Sequence, residues 1–139
     1  MIDCLGYVYV LSNGQGYITD TAGRVKQVEG ELSLSKMDRN GYQQLCTGQC
    51  GSAGDEGGHL IASALGGAGD KINIVPQAAT LNRNDWRAME REFADAMKSG
   101  KSVSVKIDMG YPAGGGARPN VFFVSARIDG VLKEFPFRQ

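Results

Sequence analysis

The stretch from Asp55 to Glu92 reads DEGGHLIASALGGAGDKINIVPQAATLNRNDWRAMERE and gathers the residues best suited to chemistry. It contains the chain's single histidine, His59, followed by Asn73, by Asn82 nine residues later and by Glu90 eight beyond that. One imidazole with amide and carboxylate oxygens is what a phosphate-ester hydrolase needs when it works with one hard cation. The imidazole takes a proton from water, and an oxygen-ligated Mg²⁺ offsets charge building on the phosphate. Oxygen donors equally suit Mn²⁺ or Ca²⁺, whereas a zinc site would want more imidazole or thiolate than is present here.

The elements that must carry these residues are short. Eight glycines between Gly48 and Gly69 exclude a long regular helix around His59. Apolar Leu60, Ile61, Ala62, Ala64 and Leu65 then anchor the histidine loop. Ile72 to Val75 reads as a buried strand ending at Pro76. Leu81-Asn82 opens the clearest helix, with Asn82 or Asn84 capping its first turn. Trp86, Met89, Phe93 and Met97 follow at 3-4 spacing to a stop at Gly100. A lone histidine beside apolar residues is more often a core residue than a base, and Asn82 taken alone is a plain helix cap. Glu90 taken alone is a partner for neighbouring arginines. The set of four is what favours catalysis.

These residues resemble the DNA/RNA non-specific endonucleases of the ββα-metal class, in the branch found as C-terminal toxin domains of large bacterial effectors. Glu56-Gly57-Gly58-His59 stands where that family has Asp-Arg-Gly-His, so Gly58 and His59 match and no arginine lies two places before the histidine. Asn73-Ile74-Val75-Pro76-Gln77, Leu81-Asn82, Trp86 and Glu90 keep the family's types and spacing. The resemblance implies His59 as general base, Asn82 as the direct metal ligand, and Asn73 and Glu90 completing the site. Glu90 would orient a metal-bound water, and Asn73 would fix His59 or the water shell. Arg39 with Asn40 is similar to an Arg-Asn pair upstream of the family's histidine, which implies a phosphate contact for Arg39. The plainer reading is a surface arginine in a turn. The implied products carry 5′-phosphates.

Charge and composition constrain the substrate. Fifteen basic and fifteen acidic side chains cancel, so no global field steers the protein to nucleic acid. A phosphate groove must be local, and Arg83, Arg87 and Arg91 recur every four residues along one face of the expected helix. A solvated face pairing with acids is the competing account. At 139 residues and 42% apolar content the chain suits one domain over 1–139. No apolar run approaches the ~18 residues a membrane helix requires, so membrane insertion is not expected. The start, MIDCLGYVYVLSNG, shows neither a basic head nor a long apolar run, so no secretory leader is expected.

The fold class expected is α+β, an antiparallel sheet carrying a ββα-metal motif and one main helix. Residues 1–35 read as a β meander, with Tyr7, Tyr9 and Leu11 alternating against Val8 and Val10. Turns follow at Asn13-Gly14 and at Thr21 to Gly23, and Glu31 to Leu34 continue the sheet. Tyr42 to Leu45 reads as a short helix or an extended piece. Residues 55–99 form the ββα core, and 101–139 return to strands, through a glycine-rich connector at Tyr111 to Pro119 and a hairpin turn at Asp129-Gly130. Three cysteines, Cys4, Cys46 and Cys50, form at most one disulfide within a chain and are read as structural or incidental.

Together these readings predict a Mg²⁺-dependent endonuclease acting on DNA and RNA with little sequence preference. By resemblance it is a toxin domain that is secreted or delivered into the cytoplasm of competing bacterial cells. Its partner would be a cognate immunity protein, acidic where it meets Arg83, Arg87 and Arg91. The alternatives are a nucleic-acid-binding module that does not cut, and an interaction module of a large secreted protein.

Overall fold

The computed structural model describes residues 8–11 and 13–139; expectations for Cys4 and Tyr7 fall outside them. The described residues form an α+β fold. Strands β1 (Val8–Val10), β2 (Gly16–Thr19), β3 (Val25–Glu31), β6 (Val103–Gly110), β7 (Val121–Ile128) and β8 (Val131–Arg138) build one antiparallel sheet in the order β1-β2-β3-β6-β7-β8. A second, two-stranded sheet pairs β4 (Glu56–His59) with β5 (Ile74–Gln77). Helix α1 (Gly41–Gln49) precedes β4, and α2 (Trp86–Lys98) follows β5.

The large sheet follows from period-two burial. Val103, Val105, Ile107 and Met109 of β6 turn inward, as do Phe122, Val124 and Ala126 of β7. Asp129 (φ 48°) and Gly130 (φ 80°) take the two positive-φ positions that a tight hairpin demands, so β7 and β8 pair without a break. The β8 strand reaches Arg138 and passes through Pro136. Proline is tolerated because β8 is an edge with no second neighbour. At the other end β3 stops at Glu31, and the predicted strand at Glu31 to Leu34 is replaced by an irregular segment held by Leu32 N to Val103 O (2.9 Å).

Helix α2 lies on the inner face of this sheet. Trp86, Met89 and Phe93 are buried at the predicted spacing. The Trp86 ring sits 5.2 Å from both Phe122 and Phe137, and Phe93 meets Phe135 edge-on at 5.5 Å. Each such burial contributes about 1.5–3 kcal/mol, so these anchors fix the helix that carries half of the candidate site. The loop before β7 is more than a connector. Arg118 pairs with the nearly buried Asp55 at 2.7 Å, just ahead of β4. Gln139 accepts from Ala78 N (2.8 Å) and donates to Pro76 O (3.1 Å) and Pro119 O (2.6 Å), tying the sheet to the end of β5. Cys46 and Cys50 are free thiols. Among the described residues no helix is long and apolar enough to cross a membrane.

Candidate active site

Strand β4 is glycine-rich because its surroundings leave no room. A Cβ at Gly57 would lie 2.1 Å from the backbone oxygen of Gln44 in α1, and one at Gly58 would lie 2.2 Å from Gln77 Oε1. An arginine cannot occupy position 57, which gives a physical reason for the departure from Asp-Arg-Gly-His. At the end of this strand His59 faces a cleft of about 440 Å³ shared with Arg39, Glu56, Asn82, Arg83, Arg87, Glu90 and Arg91. Its Nε2 is shut away from solvent with no hydrogen-bond partner among the described residues. Burial, and secondarily the Arg39 guanidinium, lower its pKa to about 4. The ring is therefore neutral near pH 7, the form a base requires.

Asn82 comes to the same cleft by an unexpected route. Residues Leu81–Asp85 form one wide π-helical turn before α2, and no side-chain cap bond is made at either junction. The predicted N-cap is therefore absent at Asn82. Its Nδ2 donates to Glu56 Oε1 at 3.0 Å across the gap to β4. A carboxylate only accepts, so it holds the amide nitrogen and leaves Asn82 Oδ1 as the end available to a cation. Glu56 stays ionised for this task, because hydrogen bonds first from Arg83 and then from Asn82 lower its pKa. Asn84, the other predicted cap, donates instead to Thr80 O at 2.9 Å.

Glu90 and the arginines complete the lining. Burial raises the Glu90 pKa to about 7, against the opposing pull of Arg87 and Arg39. Arg39 projects from the turn before α1 and is steadied by Gln44, whose Oε1 accepts from Arg39 Nε at 3.2 Å. Arg83, Arg87 and Arg91 all line the cleft, so the one-face stripe is real. Arg83 is nonetheless committed to Glu56 through Nε and Nη2, and so differs from Arg87 and Arg91, which make no ion pair among the described residues.

Asn73 is placed elsewhere. It is fully buried: its Oδ1 accepts from Ile61 N (3.0 Å), and its Nδ2 donates to Ile61 O (2.8 Å) and Ala68 O (2.8 Å). Both amide protons are spent on the loop that follows His59, so Asn73 lies outside the cleft lining and ties down the segment that carries the histidine. Four further residues escaped the sequence reading: Glu56, Gln44 and the Asp55–Arg118 pair. Glu56 alone had a visible signal, standing where the family motif has its aspartate.

The donor set suits a hard cation. Asn82 Oδ1 and the carboxylates of Glu56 and Glu90 are all oxygen donors on one cleft. Among the described residues no three His, Cys, Asp or Glu side chains converge, so an ion here would be held by one carboxamide oxygen and mostly by water.

Comparison with known proteins bears on the family and the fold. The sequence profile described as DNA/RNA non-specific endonuclease matches residues 7–130. The type VII secretion system protein EssD of Staphylococcus aureus (strain USA300) is 37% identical over 130 residues, covering 88% of this chain and 21% of EssD. The probable deoxyribonuclease RhsA of Dickeya dadantii is 33% identical over 81 residues, 58% of this chain and 6% of RhsA. The chain thus spans about a fifth, or less, of the curated relatives it matches. NucA of Streptococcus agalactiae, solved without metal, superposes with a TM-score of 0.59 at 17% identity, covering 96% of this chain and 82% of NucA. Its magnesium-bound form gives 0.59 at 16%, covering 97% and 84%. The chain belongs to the DNA/RNA non-specific endonuclease family.

Proposed function

We propose that this domain is a divalent-cation-dependent endonuclease that hydrolyses phosphodiester bonds in DNA and RNA with little sequence preference. One observation carries the reading: a neutral buried imidazole, a carboxamide oxygen, a carboxylate and four arginines line one cleft of a chain with no net charge. His59 takes the proton of the attacking water on the unprotonated nitrogen of its neutral ring. Arg39 receives a non-bridging phosphate oxygen, and that anion offsets one of the two causes that depress the His59 pKa. The base strengthens as substrate seats. Asn82 Oδ1 would hold the cation, most simply Mg²⁺ with Mn²⁺ or Ca²⁺ as substitutes, and the ion would supply charge neutralisation at the phosphate. Glu90 accepts from a water in the cleft once its carboxyl is ionised. Arg87 and Arg91 extend the phosphate track, with Arg83 a lesser contributor because Glu56 occupies it. With few cations engaged, binding is weak and tolerant of sequence.

The similarity to EssD and RhsA supports a role as the nuclease part of a larger bacterial effector, delivered by a secretion system into target cells. Such a role requires an immunity protein in the producer, acidic where it covers the arginine stripe. The reading is tested with supercoiled plasmid and single-stranded RNA. Cleavage should stop in EDTA and return with added Mg²⁺ or Mn²⁺. Cutting that ignores EDTA would remove the cation from the mechanism, and no cutting of either polymer would overturn the reading.

A further inference from the structure

The cleft continues beyond Asn82. A second hollow of about 610 Å³ opens from it and shares Arg39, Gln44, Glu56, Gly57 and Asn82 with the first. Its far walls are the exposed flank of α1, with Leu45 and Gln49, and the turn Gly51 to Gly54. The two halves differ in chemistry. Four arginines line the first, but Arg39 is the only cation lining the second, and it stands at the junction. The two carboxylates there are already held: Asp55 by Arg118 and Ser52 N (2.8 Å), and Glu56 by Asn82 and Arg83. Gln44 is likewise engaged, by Arg39 Nε at Oε1 (3.2 Å) and by Gly57 O at Nε2 (3.4 Å), so what remains to face a ligand is the Leu45 side chain, 62% exposed, the Gln49 carboxamide and glycine-rich main chain.

A phosphate gains little on such a surface, whereas a flat uncharged ring with donors and acceptors on its edge gains on both counts. Its face covers Leu45, and its edge meets the Gln49 carboxamide and main-chain groups, which both donate and accept. The wall is also fixed relative to His59. Gly57 N lies only 2.9 Å from where a Cβ at Gly48 would stand, so α1 is seated flush on β4 through main chain rather than flexible side chains. We propose that this hollow is a nucleobase subsite, holding the base of an unpaired nucleotide next to the phosphate bound at His59 and Asn82. It follows that single strands are the preferred substrate, because a base inside a duplex must first be unstacked and unpaired. The proposal rests on the nuclease reading given above.

The test compares a fluorescent single-stranded oligonucleotide with the same sequence as a blunt duplex, in Mg²⁺. Wild type should show about tenfold higher kcat/KM on the single strand, and Leu45→Glu should raise KM for it about tenfold with a much smaller change in kcat. Anisotropy of the single strand on His59→Ala, with and without Leu45→Glu, should show a matching loss in affinity. Leu45 is exposed, so the melting temperature should be unchanged, and Gln49→Ala supplies a second variant that leaves α1 uncharged. Equal KM values for wild type and both variants, or the same fold-loss on duplex and single strand, overturn the subsite while the nuclease stands. Wild-type protein that cuts neither substrate overturns the nuclease reading and the subsite with it.

Discussion

The six-stranded sheet and the β4–β5–α2 unit share one chain but are held together by different rules. In the sheet, pairing runs unbroken from Val103↔Ile128 to Gly110↔Val121, every inward residue is apolar along β6 and β7, and polar side chains such as Gln27 and Asp108 (2.9 Å) bond on the outer face. In the smaller unit His59 Nε2 and both ends of the Gln77 amide are buried without partners among the described residues, two adjacent glycines are dictated by contact, and the helix begins with a wide turn. Buried polar groups without partners are costly. Apolar burial alone therefore accounts for the sheet, while the unit bearing the cleft keeps an arrangement that burial alone would not choose.

That contrast breaks most sharply at His59. His59→Ala should lower plasmid cleavage by roughly 10²–10⁴-fold while the sheet stays folded; a wild-type rate would remove the residue from the chemistry. Next comes Glu56→Gln, which no longer dictates which end of the Asn82 amide faces the cleft. Mn²⁺ affinity, read by calorimetry as well as by half-activation of cleavage, should fall about 10–100-fold, and unchanged affinity would leave Glu56 a surface ion-pair partner only.

Asn73→Ala strips three buried hydrogen bonds from the loop after His59. The loss should be about 3 kcal/mol, seen as a fall of roughly 10 °C in Tm. A comparable loss of stability follows from pH in EDTA. Folded His59 titrates at about 4 against 6.5 unfolded, so its contribution is lost as pH falls through that window. Folded Glu90 titrates at about 7 against 4.5, so its contribution is lost as pH rises through that one. In wild type the slopes oppose each other. Glu90→Gln should lose up to about 3 kcal/mol between pH 7 and 4, and His59→Ala should lose stability in the opposite direction, as pH rises. Parallel slopes in urea titrations would refute the assignment. Smallest of all, Leu132→Ser on the exposed edge strand should change stability by less than about 0.5 kcal/mol and leave cleavage untouched.

Much of the fold could be read from residue order. Alternation marks β6 and β7, the Asp129-Gly130 pair marks the hairpin, and the spacing of Trp86, Met89 and Phe93 marks α2 and its buried face. The reach of β8 past Pro136 could not be read, because it depends on that strand having no outer neighbour. In the site, spacing and resemblance brought forward His59, Asn82, Glu90 and the arginines that line one cleft, and gave Asn73 and Asn82 different roles, but not the partners that each amide meets. Two asparagines look alike in sequence, and one spends its amide on backbone while the other meets a carboxylate from a different element. Glu56, Gln44 and Arg118 escaped notice for the same reason, since their partners lie 27, 5 and 63 residues away and meet only through side-chain placement.

The wide turn at Leu81–Asp85 has a geometric consequence for the residues it links. On a regular helix, eight positions advance roughly 80° beyond two full revolutions, at 3.6 residues per revolution. One widened revolution followed by one ordinary revolution uses up about eight residues. The irregularity thus acts as a phase corrector, bringing the carboxamide and the carboxylate into angular alignment. Deleting a single residue between Leu81 and Asp85 would preserve a helix yet swing Asn82 out of step with Glu90.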